Sequence, residues 1–206
     1  MGKENISKTV LNARDDVSKI IDSRLNEFQD NYSSDKKIIS ELFFCICTAN
    51  NSAERGLAAQ EKIDFENLPE DELRGKMKEI VCRFYNNKTD YTLFMRENKP
   101  KILKALRKAD SGPSARTWIT KNIKGLGMKE ASHFLRNIGF SDLAIIDFHI
   151  VDLLVRENLI KRPKSITQKE YLNTEQVLSD LAWELKMGLD ELDLYLWYIE
   201  TGKVLK

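Results

Sequence analysis

The residues best suited to chemistry in this chain of 206 residues lie in two short runs. The first is Ile123-Lys124-Gly125-Leu126-Gly127-Met128-Lys129-Glu130-Ala131. Glycine tolerates positive φ, so two glycines around Leu126 permit a tight turn just before a helix. Backbone N–H groups then point outward at the helix start. Such groups suit a nucleic-acid phosphate. The second run is Ala144-Ile145-Ile146-Asp147-Phe148-His149-Ile150, a lone carboxylate after an apolar triplet with a histidine two residues on. Asp147 stands 18 residues after Lys129, enough chain for one helix and a return to the same cleft. A neutral lysine amine is a nucleophile, and a carboxylate offsets developing positive charge. Taken singly, each residue has an ordinary explanation. A lysine after a turn is usually a solvated charge, and an aspartate at a helix start is usually an N-cap.

The elements that must position these residues read as helices throughout. Val10, Val17, Ile20, Ile21, Leu25 and Phe28 recur at helical spacing and predict one helix from about Asn5 to Asp30. Ser34 is a suitable N-cap for a second helix, which is apolar all round from Leu42 to Ala49 and therefore belongs in a core. A third helix begins near Ser52. Pro69 and the acids after it open another, running to about Phe84. Helical pattern follows over Thr89–Asn98 and Pro100–Ala109, then a turn at Ser111–Ser114 and a short helix over Arg116–Asn122. Leu126 anchors the hairpin, and the helix after it runs to about Ile138, where Gly139 fits a C-terminal cap. Asp147–Asn158 and Thr174–Gly202, the latter parted near Gly188, complete the set. No strand and no internal repeat is expected.

The expected class is all-α, with two helical subdomains flanking a DNA-binding cleft. Residues 1–33 and 156–206 form a discontinuous domain from both ends of the chain. Residues 34–155 form an inserted helical bundle that carries the hairpin. The cleft between them is the expected ligand site.

Composition narrows the function classes. The 33 basic and 32 acidic side chains leave a net charge of +1, which excludes a histone-like tail or a polybasic membrane binder. The balance hides a segregation. Arg96–Arg136 holds eleven Lys/Arg against three Asp/Glu, whereas Glu175–Glu200 holds seven acids against one lysine. The basic stretch contains the hairpin, where a phosphate backbone would lie. Three cysteines, two of them in the apolar run Leu42–Cys47, read as reduced thiols of a cytoplasmic protein. They are too few for an iron–sulfur or all-cysteine zinc site, and no metal or cofactor is expected. No signal peptide and no membrane span is expected.

Glycine hairpin, early helical lysine and Ile-Asp-x-His together resemble the helix–hairpin–helix DNA glycosylase superfamily. Lys129, Asp147 and His149 match its pattern position for position. Within it the chain looks most like the archaeal type 2 branch of 8-oxoguanine DNA glycosylase/lyases, given its size, the Thr48-Ala49-Asn50 helix end and Lys206 as the last residue. It lacks the four C-terminal cysteines of the endonuclease III branch and the large N-terminal extension of the eukaryotic 8-oxoguanine branch.

The resemblance implies a bifunctional enzyme of base-excision repair, a DNA N-glycosylase and abasic-site lyase. Its partner is double-stranded DNA containing 8-oxoguanine, its expected state a monomer, and its location the cytoplasm of an archaeal or other prokaryotic cell. Lys129 is then the nucleophile that forms a Schiff base, and Asp147 the carboxylate that stabilises the cationic sugar. Gly125, Gly127 and His149 would bind DNA phosphate. Substrate contacts would come from Lys206, His133, Trp197 and Asn50, the last filling the gap left by a flipped base. Arg55 would reach the opposite strand. The lesion has a donor at N7 where guanine has an acceptor, and a carboxylate at Lys206 could read that difference. Two alternatives stand beside this reading: a glycosylase of the same superfamily for oxidised pyrimidines, and a non-catalytic helix–hairpin–helix DNA-binding module.

Overall fold

The computed structural model describes residues 2–206, and among them it contains helices and no strand. In chain order these are α1 (Gly2–Asn31), α2 (Asp35–Thr48), α3 (Ala53–Lys62), α4 (Glu70–Ile80) and α5 (Tyr85–Lys108). They are followed by α6 (Gly112–Asn122), α7 (Met128–Asn137), α8 (Phe148–Arg156), α9 (Gln168–Leu185) and α10 (Leu189–Thr201).

Two buried cores organise them. Helix α2 is the centre of the first, with Leu42, Phe43, Phe44 and Ile46 fully enclosed by α3 to α7. Phe43 stacks on Phe65 with centroids 4.3 Å apart. Leu126 of the hairpin is buried in this core, as its apolar side chain requires. The second core joins α1 to α8, α9 and α10 through Val10, Ile21, Leu154, Leu181 and Leu194. The two ends of the chain thus pack together. The cores divide between Leu143 and Ala144, not at 155/156. Helix α8 lies with the terminal helices because Ile150, Val151, Leu153 and Leu154 turn their apolar face toward α10.

Several helix boundaries differ from the sequence reading. Helix α4 stops at Ile80, because Cys82 and Phe84 adopt left-handed backbone at φ 63° and 54°. The segments on either side of Pro100 form one helix, α5. An interior proline costs about 3 kcal/mol. Met95 before it and Ile102 and Leu106 after it are all buried in the first core, and that shared burial offsets the loss. Ser111–Ser114 is no free turn. It is the start of α6, where Ser111 and Ser114 form a reciprocal capping box. Helix α9 begins at Gln168, capped by Thr167.

Buried polar contacts join the two cores. Asn31 donates to the Asn137 carbonyl at 2.9 Å. Arg116 on α6 pairs with Glu175 on α9, and Arg136 on α7 pairs with Asp193 on α10. Each of these contacts joins a helix of one core to a helix of the other.

Candidate functional site

The cleft holds a cavity of about 400 Å³, within the usual range for a small-molecule site. Helix α7 supplies Lys129, His133 and Arg136, which share one face at i, i+4 and i+7. The segment entering α8 supplies Asp147 and His149. Helix α10 and the chain after it add Asp193, Trp197, Lys203 and Lys206. Thr48, Asn51 and Ser52 close the side formed by the end of α2.

Two helix starts meet here. Gly127 caps α7 without a side chain, which leaves the first N–H groups of that helix open to a ligand. Gly125 sits at φ 86°, and an added Cβ would fall 2.2 Å from the Tyr91 ring. Glycine is therefore required twice over, by backbone and by space. Helix α8 is capped by Asp147, whose Oδ1 accepts the Ile150 N–H at 3.0 Å. That bond fixes the carboxylate and leaves it further acceptor capacity toward the cavity.

The cavity mixes charge and aromatic surface. His149 is exposed and meets Trp197 edge-on, with centroids 5.5 Å apart. His133 is buried against the Lys206 backbone, and its ring meets Phe44 edge-on at 5.6 Å. Burial, then the nearby cations Arg136 and Lys129, hold its pKa well below the ordinary histidine value. The ring is neutral and presents one donor and one acceptor. Asp193 accepts from Arg136 at 3.0 Å. Burial pushes its pKa up to about 6; Arg136 opposes this shift, and the neighbouring Asp147 adds to it. Lys206 turns its ammonium inward, 2.6 Å from Glu41 Oε1 and 2.7 Å from Gln60 Oε1, over the Phe44 ring. Asn137 donates to the other oxygen of Glu41 at 3.0 Å, which completes a buried network under the tail.

Most of the residues singled out from sequence line this cavity: Lys129, Asp147, His133, His149, Trp197 and Lys206. Gly125 and Gly127 form the hairpin beside it. Asn50 lies outside the lining, exposed at φ 53° on the turn whose next residues, Asn51 and Ser52, do line it. Arg55 serves a local role instead. Its guanidinium donates to the Ile80 carbonyl at 3.0 Å and lies 2.9 Å from Cys82 Sγ, bracing the α4–α5 turn. Arg136, Asp193 and Asn51 also line the cavity, and the sequence reading does not single them out. Helical spacing was the available signal for two of them, since Arg136 follows Lys129 by two turns and Asp193 precedes Trp197 by one. Among the described residues no group of three or more His, Cys, Asp or Glu could hold a metal ion, and no helix is long and apolar enough to cross a membrane.

Comparison with known proteins gives concordant results. Residues 21–187 match the family model described as 8-oxoguanine DNA glycosylase of the helix–hairpin–helix type. The 8-oxoguanine DNA glycosylase/AP lyase of Korarchaeum cryptofilum is 40% identical over 210 residues, with all of both chains covered. That of Methanocaldococcus jannaschii is 43% identical, covering 93% of this chain and 94% of the relative. The M. jannaschii 8-oxoguanine glycosylase/lyase solved with a 15mer DNA containing 8-oxoguanine superposes with a TM-score of 0.92 at 40% identity, over 97% of this chain and 99% of that one. The 8-oxoguanine DNA glycosylase structure from Thermotoga maritima gives 0.91 at 36% identity, over 99% of this chain and all of that one.

Proposed function

The chain belongs to the helix–hairpin–helix family of 8-oxoguanine DNA glycosylases, and from that premise we propose that it excises 8-oxoguanine from duplex DNA and then nicks the abasic strand. The observation that carries this reading is the meeting of Lys129 and Asp147, from separate helices, in one cavity that also holds Trp197.

The glycosidic carbon is shielded inside the duplex, so the nucleotide must first be turned out of the stack. Phosphates flanking the lesion rest on the open N–H groups of α7 and the Gly125–Gly127 hairpin, with His149 beside them. Trp197 offers a face on which the flipped base stacks. His133 and Lys206 contact its polar edge, and Asn50, exposed on its turn, fills the gap left in the duplex. The amine of Lys129 attacks C1′, the bond to the base breaks with its electron pair leaving on the base, and the departing base takes up the proton that the amine gives up. Asp147 offsets the positive charge that develops on the sugar. The C1′–O4′ bond then opens as the amine nitrogen forms a C1′=N bond, O4′ leaving with the electron pair and taking up a proton, to give a Schiff base on Lys129. Loss of a C2′ proton expels the 3′ phosphate by β-elimination and nicks the strand.

The enzyme acts as a monomer, since one chain supplies every residue of this scheme. Its substrate and its three free thiols favour the cytoplasm. A panel of duplexes tests the assignment, each with one lesion: 8-oxoguanine, an oxidised pyrimidine, or an abasic site. Excision confined to 8-oxoguanine, with nicking of the abasic strand, is expected. Preferential release of the pyrimidine would move the enzyme to another branch of the superfamily. Binding without base release would make the chain a passive DNA-binding module.

A further inference from the structure

The residues that carry the mechanism stand on two pieces of chain whose mutual register nothing in the hairpin sets. Lys129 is on α7. Asp147 follows Leu143–Ile146, a buried stretch with neither helix nor sheet to pair its backbone. Buried backbone groups must find partners. Here they find side chains of α9. The Tyr171 hydroxyl donates to the Ala144 carbonyl at 2.7 Å and accepts the Ile146 N–H at 3.2 Å. Glu175 Oε1 accepts the Ala144 N–H at 3.0 Å. The same Tyr171 oxygen lies 3.2 Å from Ser132 Oγ, and Ser132 is on α7, three residues after Lys129. Arg116 closes the ring. It donates to both Glu175 oxygens at 2.6 Å and to Ser132 Oγ at 3.0 Å, and its guanidinium lies 5.5 Å from the centre of the Tyr171 ring. All four side chains are buried.

We infer that Tyr171 and Glu175, braced by Arg116, are positioning residues that set the Lys129 amine against the Asp147 carboxylate. The inference rests on the glycosylase reading above. Among the described residues, the Tyr171 hydroxyl is the atom that contacts both the helix of the nucleophile and the segment of the carboxylate. A buried ion pair is a poor source of stability compared with apolar residues of similar size, because desolvation offsets its attraction. It is a good source of geometry when every group is satisfied, as here. The network spends its hydrogen bonds on the backbone one and three residues before Asp147, so its loss changes the register of two reacting groups and leaves the DNA-contacting surface intact. Burial pushes the Tyr171 pKa well above the usual tyrosine value, so the hydroxyl keeps its proton over the working pH range.

The test uses Tyr171→Phe, which keeps the ring and removes the shared oxygen, and Ser132→Ala, which cuts only the link to α7. Single-turnover excision of 8-oxoguanine is measured at saturating enzyme, alongside the dissociation constant for a duplex with a tetrahydrofuran abasic-site analogue. Misplacement of reacting groups by about 1 Å costs on the order of a hundredfold in rate. The expected result is a chemical step slowed tenfold or more in Tyr171→Phe and by a lesser factor in Ser132→Ala, with analogue binding within about twofold of the parent. The pH–rate profile should also shift in Tyr171→Phe, since amine and carboxylate no longer face each other at the same distance. A chemical step within twofold of the parent in both variants overturns the inference, as does a loss confined to binding. Should Tyr171→Phe not fold, Ser132→Ala decides alone. A parent enzyme that releases no base would refute the glycosylase reading itself, and a parent that does so makes the variants a test of positioning only.

Discussion

Asp147 does two things, and they can be separated. It caps α8 through the 3.0 Å bond from the Ile150 N–H, and it presents a negative charge to the cavity that holds Lys129. Asn is as good an N-cap as Asp, so Asp147→Asn keeps the helix start while removing the charge. At an effective dielectric of about 20, opposite charges about 4 Å apart attract by about 4 kcal/mol. Asp147 is half-buried, and discounting for solvent leaves about 3 kcal/mol of transition-state stabilisation, or roughly a hundredfold in rate. Asp147→Ala loses the cap as well, worth about 1 kcal/mol. For a domain of this size that lowers Tm by about 2–4 °C. Single-turnover excision and thermal unfolding, run on the parent and both variants, give the answer. Expected are two equally slow enzymes, with only the alanine variant less stable. An asparagine variant that excises within threefold of the parent would show that the charge is not used. A melting loss in Asp147→Asn equal to that in Asp147→Ala would show that the capping bond was misassigned.

Three further outcomes follow from the same structure. Gly125→Ala meets both a left-handed backbone, costing about 1–2 kcal/mol, and the Tyr91 ring at 2.2 Å. The backbone cost alone should lower Tm by about 2–8 °C at about 2–4 °C per kcal/mol, and the double variant with Tyr91→Ala should be less destabilised than the two single losses added together. The folded state holds His133 neutral while the unfolded chain protonates near the ordinary value of 6.5. Its contribution is present above that pH and is lost as pH falls, so parent minus His133→Gln stability, from denaturant titrations, should decline from pH 7 to pH 5. Lys88 is buried, donates to the Cys47 carbonyl at 2.8 Å, and has its pKa lowered to about 8, chiefly by burial. Between that value and 10.5 the unfolded chain holds the extra proton, so parent stability relative to Lys88→Met should rise from pH 8 to pH 10.

The sequence made the candidate reacting groups legible and left the residues around them hidden, for a physical reason. A glycine bracket before a helix and a carboxylate after an apolar triplet are local signals, complete within nine and seven residues. The contacts of the surrounding residues are long-range. Glu175 and Tyr171 sit 31 and 27 residues from the Ala144 groups they hold, and Arg116 is 59 residues from Glu175. Spacing along one helix offers no hint of such pairings. The misread boundaries have the same origin. Pro100 is a local break signal that the first core overrides, and the left-handed turn at Cys82 and Phe84 carries no glycine or asparagine to announce it. Lys206 was singled out for its position in the chain, but the contacts that secure its side chain, Glu41 and Gln60, lie on α2 and α3, far away in sequence.

The central claim is that Lys129 becomes covalently joined to the sugar. Borohydride reduction during turnover, on a duplex containing 8-oxoguanine, converts such a Schiff base into a stable protein–DNA adduct. An adduct is expected with the parent enzyme and none with Lys129→Gln, while Lys129→Gln still binds the duplex. An adduct of undiminished yield in Lys129→Gln would assign the nucleophile to another group and contradict the account.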